Sequence, residues 1–405
     1  MMDNMKRIVL AAVVTLIYAL TINLNAFLLP VYGTEILGLS DSQIGLLVGA
    51  PGVLALVFLL PAAALSNYFG RKPMLILTAI SNLIAATFFL TAKSFAGLAA
   101  AQLVMGIANA TMWPALAAHY SSLVGPERQA EIQATNCVAQ GLGLVIGPII
   151  SGFVIKAAGY PAAIGTWMGA AGIQLLLTAM VRDVPGTREG MLLQTAFVEP
   201  LRKLKPILGQ RPLIVAGAAQ LTSAAIISAI GGAFFIRFAQ EAGFAAALVS
   251  VMISTREVSS TASRMVYAYL ARIIPNSVLL SLSPLIAGGA LLLGFLWPHP
   301  VVLFAVVILV GLALGVVAPA SNTLAIEMAA PEDMTETIAA VTIMFQVGTI
   351  LFPPFIGSVV DHTSLATGVR FGAGLILAAG LFLLAWSLKD AQSLSTASHR
   401  EAKVS

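Results

Sequence analysis

Long apolar runs, rather than alternation, organise this chain. Twelve of them stand between short polar stretches, at residues 8–32, 43–65, 74–92, 95–119, 129–155, 160–181, 212–236, 246–270, 277–297, 300–327, 335–360 and 366–388. Each is near the roughly 20 residues a helix needs to cross a hydrocarbon core. Unbroken runs of this length do not suit the ~10-residue alternating strands of a membrane barrel. Only helices and closed barrels satisfy their backbone groups in lipid. The pattern therefore predicts an all-α membrane protein with twelve transmembrane helices. The first run has the basic start of a signal peptide, Met5-Lys6-Arg7. It continues through Phe27-Leu28-Leu29, and Leu24 spoils a small-x-small cleavage pattern before Ala26, so it reads as a retained helix.

Charge orients the spans. With the N-terminus inside, inner loops and tails hold sixteen of the 21 Lys and Arg residues. The outer side holds Lys93, Lys156, Arg237 and Arg370, and Arg256 lies within a span. That bias places both termini in the cytoplasm. The longest polar stretch falls between spans six and seven and contains Pro185, Pro200 and Pro206. It reads as a cytoplasmic linker, 182–211, with a surface-lying amphipathic helix near 191–204. It separates an N-terminal six-helix bundle (1–181) from a C-terminal one (212–390), which a tail (391–405) follows.

Composition sharpens this reading. Hydrophobic residues are 59% of the chain and charged ones 9%, against about 25% charged in a soluble domain. A soluble enzyme, a disulfide scaffold and a nucleic-acid binder are excluded. The net charge of +4 does not argue for nucleic acid, because the cations gather at helix ends on one side. Cys137 is the one cysteine, and its apolar surroundings predict an inert core thiol. No Gly-x-x-x-x-Gly-Lys-Ser/Thr loop occurs, so ATP does not drive the protein directly. His119, His299, His362 and His399 are scattered, so no metal and no cofactor is expected. No nucleophile–base pair suggests an enzyme.

The halves align without gaps at a shift of 205 residues. Gly106 meets Gly311, Pro114-Ala115 meets Pro319-Ala320, and Pro126-Glu127 meets Pro331-Glu332. Gly143 meets Gly348, Pro148 meets Pro353, and Gly152 meets Gly357. Glycine and proline are common in membrane helices, but a shared register of kinks and close contacts fits two pseudo-symmetric bundles. Parallel repeats of this kind hold a substrate site near the midplane.

Leu65-Ser66-Asn67-Tyr68-Phe69-Gly70-Arg71-Lys72 resembles the loop-2/3 signature of the major facilitator superfamily, with Asn67 in place of the usual Asp. The turn needs Gly70, and the cations of Arg71 and Lys72 suit the helix end. In the family the acidic residue latches the two halves, so the resemblance implies a weaker latch at Asn67. Leu29-Pro30, Gly38-Leu39-Ser40, Trp113-Pro114 and Gly125-Pro126-Glu127-Arg128 also look like family positions. Gly143-x-x-x-Gly147-Pro148-x-x-Ser151-Gly152 is similar to the antiporter signature of its drug:proton efflux branch. The resemblance implies a conformational role for Gly143, Gly147 and Pro148, although close helix packing explains small residues equally well. Where family members often have an Arg in span four, this chain has Gln102. No Asp or Glu lies mid-span in the first half.

Intramembrane charge by default marks function. Span eight has a strongly polar stretch from Ser254 to Arg264 that must face a wet cavity or the bundle core. Arg256, Ser260, Ser263 and Tyr267 share one face. Arg256 is the candidate docking cation for an anionic group, and Glu257 the coupling carboxylate or its counter-ion. The alternative is a structural Arg–Glu pair. Arg264 reads as a gate or loop cation. Neutral polar candidates for the cavity are Tyr18 and Asn25 in span one, Gln102, Asn109 and Trp113 in span four, and Asn136 and Gln140 in span five. Thr21 shares the face of Tyr18 and Asn25, and Asn23 lies on the opposite one. Gln220, Asn322 and Gln346 complete it in the second half.

These observations describe a secondary transporter of the inner cell membrane, monomeric in the bilayer. It moves a small anionic or zwitterionic organic solute by alternating access, with proton-coupled export favoured. Proton-independent uptake or anion exchange is the alternative within transport. A receptor on the same scaffold would need a sensory domain.

Overall fold

The computed structural model describes residues 2–124, 128–182, 211–328 and 334–401, and they are almost entirely helical. In chain order the elements are α1 (Met2–Glu35), α2 (Asp41–Phe69), α3 (Arg71–Thr91), α4 (Phe95–Ser122) and α5 (Gln129–Met180). Then come α6 (Arg211–Ala224), a π-helical stretch (Ala225–Ala233), α7 (Phe234–Glu241), α8 (Ala246–Leu270) and α9 (Asn276–Leu296). The last are α10 (Pro300–Gly315), α11 (Val317–Met328), α12 (Met334–His362) and α13 (Leu365–Glu401). Among the described residues, ten helices are long and apolar enough to cross a membrane. Two of the expected runs share α5, which turns at Gly159 where φ is 78°. The run that becomes α8 is not among the ten, because of its polar stretch.

Local chemistry sets the boundaries. Ser40 caps α2: the Gln43 N–H donates to Ser40 Oγ, and the Ser40 N–H donates to the Gln43 side chain at 3.0 Å. Gly70 ends α2 at φ 98° and donates its N–H to Ser66 O. That positive φ is what the turn before Arg71 requires. Lys72 Nζ donates to Ala179 O at 2.7 Å, tying α3 to the end of α5. The Asn67 side chain and the expected linker with its 191–204 helix lie outside the described residues. Two boundaries differ from the sequence reading. The run 300–327 is split at Val316. The last helix continues to Glu401 instead of ending near 388, since residues 389–401 contain no Pro or Gly.

Contacts in the first half recur 205 residues later. A Cβ at Gly106 would overlap the Pro51 carbonyl, and one at Gly311 the Arg256 carbonyl. Gly143 lies against Leu16 O, and Gly348 against Leu221 O. Gly357 abuts Asp41 O, and Gly152 abuts Ser250 with Ala246 O nearby. Each partner is itself displaced by 205, apart from Ser250. Small residues at these positions let backbones approach to van der Waals contact, the main source of helix association in lipid.

The buried core divides similarly. One cluster gathers Tyr18, Leu28, Phe89 and Trp167; another gathers Phe234, Phe235 and Phe295 and also takes in Phe27 and Val31 of α1. Asn82 is the polar node of the first cluster. It donates to Thr21 (2.9 Å) and Gln174 (2.6 Å) and accepts from Trp167 Nε1 (2.9 Å). This buried network ties α1, α3 and α5 together, although Gln174 Nε2 is buried without a partner.

Candidate functional site

A cavity of about 200 Å³ lies between the halves. The first half supplies Asn23, Asn25, Phe27, Gln102 and Asn109, and the second Ser228, Gly232, Ile236, Arg256 and Thr349. A larger groove of about 630 Å³ runs between α1 and α5, lined by Val9, Val13, Val138 and Leu142 among others. Its lining is nearly all apolar and comes from the first half alone. The smaller cavity therefore holds the chemistry.

The charge in the cavity is set by a break in the preceding helix. Gly232 has φ −112° and ψ −110°, inside a stretch wound with the wider π spacing. A Cβ there would overlap the Ile227 carbonyl, so only glycine fits. The break frees backbone groups that lipid cannot satisfy. Arg256 meets that need: its Nη1 donates to Gly231 O at 2.5 Å. Nε and Nη2 donate to Glu257 Oε1 at 3.1 and 2.6 Å. Arg256 is 5% exposed yet borders the cavity. Three of the five guanidinium N–H groups are used in these bonds, which leaves two for a solute.

The opposite wall is neutral. Asn25 and Gln102 donate to each other reciprocally at 3.1 and 2.9 Å. Tyr18 donates its hydroxyl to Asn109 Oδ1 at 2.7 Å, which orients that amide. Asn23 donates to Leu144 O at 2.8 Å. These amides keep spare donors and acceptors for a polar solute.

Of the residues singled out in the sequence, Asn25, Gln102, Asn109 and Arg256 line this cavity. Glu257 sits beside Arg256. Tyr18 is fully buried with Trp113 edge-on to it, ring centroids 5.5 Å apart, and neither is among the lining residues. Asn136 faces Thr15 across 3.5 Å. Gln140 and Gln346 are half-buried, Gln220 is buried in α6, and Asn322 is exposed on α11. None of these four lines the cavity. Asn23, Ser228, Gly232 and Thr349 do so without having been singled out as site residues. Adjacent glycines at 231–232 were the available signal for the break.

The serines of α8 serve packing. Ser254 donates to Val145 O (2.7 Å) on α5, and Ser263 to Leu312 O (2.7 Å) on α10. Ser259 donates to Thr255 O within α8 (2.9 Å). Gly315 lies against Ser260 O and Ser263. The stretch thus belongs mainly to the bundle core, with Arg256 as its cavity-facing member. Arg264 is half-buried, toward the far end of α8. Gly143 and Gly147 press on the Leu16 and Leu20 carbonyls, with Pro148 in the same helix. Cys137 corrects the sequence reading: it is exposed, not a core thiol. Apolar neighbours in sequence do not imply burial on a helix whose other faces make the contacts.

The halves are also joined at one end, beyond the cavity. Asp361 at the end of α12 accepts from the N–H groups of Asp41 (2.8 Å) and Ser42 (3.0 Å), the free amides that open α2. Arg237 forms an ion pair with Asp41 and reaches Glu241 at 3.5 Å. Gln240 donates to Glu35 (3.2 Å), as does the Tyr160 hydroxyl (2.5 Å). Gln240 and Glu35 are 205 residues apart, so the repeats meet across this contact. The close approaches of α2 to α12 run from Asp41 against Gly357 as far as Gly52 against Gln346.

No curated protein sequence matches this chain. Solved structures resemble it closely in fold at low identity. A nucleoside transporter, NupG, has a TM-score of 0.78 at 13% identity, over 94% of this chain and 99% of the other. A peptide transporter, POT, has a TM-score of 0.80 at 12% identity, over 95% and 94%. A bacterial homologue of the human lysosomal transporter Spinster, in an inward-facing and unoccupied conformation, has a TM-score of 0.70 at 17% identity, over 94% and 95%. The sequence profile of the Major Facilitator Superfamily matches residues 11–253 and 216–404. With membrane-length helices, equivalent contacts at a fixed register and a polar cavity between them, the chain belongs to the Major Facilitator Superfamily.

Proposed function

We propose that this protein is a secondary active transporter in which two six-helix bundles, twelve spans in all, rock around the Arg256 cavity. The observation that carries this reading is a nearly buried guanidinium with two uncommitted N–H groups, facing a neutral amide wall contributed by the other half. Lys and Arg bias puts both termini in the cytoplasm and the Asp361–Asp41 end outside. In this reading the structure is closed outside and represents the inward-facing state. The cargo is a small organic solute with an anionic group, since a guanidinium offers a planar fork suited to carboxylate. The cavity is smaller than the ~300–1,000 Å³ common for ligand pockets, which favours a compact solute. Related folds include a POT family transporter in complex with 5-aminolevulinic acid, a solute of this size and kind.

The Gly143–Gly152 motif, by its resemblance to an antiporter signature, supports proton-coupled export; in this reading the protein sits in the inner cell membrane as a monomer. A second reading, proton-independent exchange, is favoured by the absence of a mid-span Asp or Glu in the described first half. Flux in proteoliposomes with and without a pH gradient separates the two. Flux that survives collapse of the gradient removes the antiport reading. The absence of any saturable flux across a panel of organic anions and zwitterions removes the transporter reading itself.

A further inference from the structure

We infer that the cavity selects zwitterions, the cargo's carboxylate taking Arg256 and its cationic group taking Glu257; this rests on the transporter reading above. Arg256 and Glu257 are adjacent, their side chains are 6% and 12% exposed, and they pair at 2.6 Å. Together they are neutral. Around them the cavity offers only uncharged groups: Asn23, Asn25, Gln102, Asn109, Ser228 and Thr349.

A carboxylate on the two N–H groups that Gly231 and Glu257 leave uncommitted adds a charge to a pair that is already neutral. A simple anion would then give the site a net negative charge that no other lining residue offsets, and an uncompensated charge at a nearly buried site is unfavourable. A zwitterion exchanges one internal ion pair for two cargo–protein pairs, and no charge is stranded. A simple cation meets the mirror problem at Arg256, although Gly231 O still accepts from Nη1. The bond that Arg256 makes to this carbonyl anchors the guanidinium while Glu257 is free to turn to the cationic group. Only Oε1 of Glu257 is engaged by Arg256; Glu257 is not itself among the lining residues, so its carboxylate reaches the cationic group by turning toward the cavity as the pair opens.

The test uses matched triads on the purified full chain: glycine, β-alanine, γ-aminobutyrate and 5-aminolevulinate, each with its N-acetyl derivative (anion) and its methyl ester (cation). Binding is read by calorimetry and thermal shift. At least one parent is expected to bind about 30-fold tighter than either derivative, the ratio for loss of one partner in a desolvated charge pair. Glu257→Gln is expected to abolish that preference, so that the N-acetyl anion binds as tightly as its parent. Should this variant fail to fold, proton uptake on binding by the wild type gives the same information: none is expected with the zwitterion. N-acetyl anions that bind the wild type as well as their parents, with uptake of a proton, overturn the zwitterion inference and leave the transporter reading standing. Failure of every parent to bind also overturns it. Binding that persists unchanged in Arg256→Gln removes the Arg256 site, and with it the reading on which the inference rests.

Discussion

Asp361→Ala should open the closed end. The wild-type carboxylate accepts two backbone N–H bonds at 2.8 and 3.0 Å from the first turn of α2, where the helix dipole favours a negative charge. Hydrogen bonds to a charged group contribute ~1.5–3 kcal/mol each. Asp361 is exposed, so screening brings this to ~1 kcal/mol each, or ~2 kcal/mol for the pair. Because the bonds cross between halves, they exist only when this end is closed, and their loss moves the closed-to-open ratio about 30-fold toward open. The Arg237–Asp41 pair remains in the variant, so Asp361→Ala combined with Arg237→Ala should shift the balance further. Pulsed electron-spin distances between labels at Leu37 and Thr363, in a Cys137→Ser background, report the separation. A single short distance is expected for the wild type and a second, longer population for the variant. Identical distributions in both would refute the idea that this carboxylate latches the halves.

Glu257→Gln removes the counter-charge of a nearly buried Arg256 and should lower stability by ~1–3 kcal/mol, less than the ~3–5 kcal/mol of a fully sealed pair because the cavity admits water; thermal melting in detergent measures this. Gly232→Ala forces a methyl onto the Ile227 carbonyl, costs ~1–3 kcal/mol and should abolish flux, whereas Gly374→Ala, with open space around it, should leave both stability and flux unchanged. Cys137, exposed and the only thiol, should react with maleimide in the folded protein, as mass spectrometry without denaturant would show.

What the sequence made legible is the part governed by long-range periodicity. Apolar runs long enough to span a bilayer became helices, and the 205-residue register reappears as paired contacts, Gly106 on Pro51 and Gly311 on Arg256. Gly70 holds the positive φ that its turn needs. Less legible were features decided by which face of a helix meets which neighbour. The polar stretch of α8 reads equally as the wall of a wet cavity or as bundle core, and its serines, which bond backbone carbonyls of α5 and α10, take the second place. A serine hydroxyl is equally at home in either setting, so composition does not choose between them. Asn23 falls opposite Asn25 on an ideal helical wheel, but both line the cavity, because it opens between several helices at once. The π break at Gly231-Gly232 was hidden among the many glycines of a membrane protein. It matters most for the site, because the freed Gly231 carbonyl fixes where the Arg256 guanidinium lies.

On the proposed mechanism, solute binds between the halves on Arg256 and crosses as they rock. Its most direct test is flux of a stabilising zwitterion into proteoliposomes that hold equal amounts of wild-type, Arg256→Lys and Arg256→Gln protein. Saturable uptake is expected for the wild type, strongly reduced uptake for the lysine variant, whose point charge cannot reproduce the fork, and vesicle background for glutamine. Wild-type rates in the folded glutamine variant would rule this mechanism out.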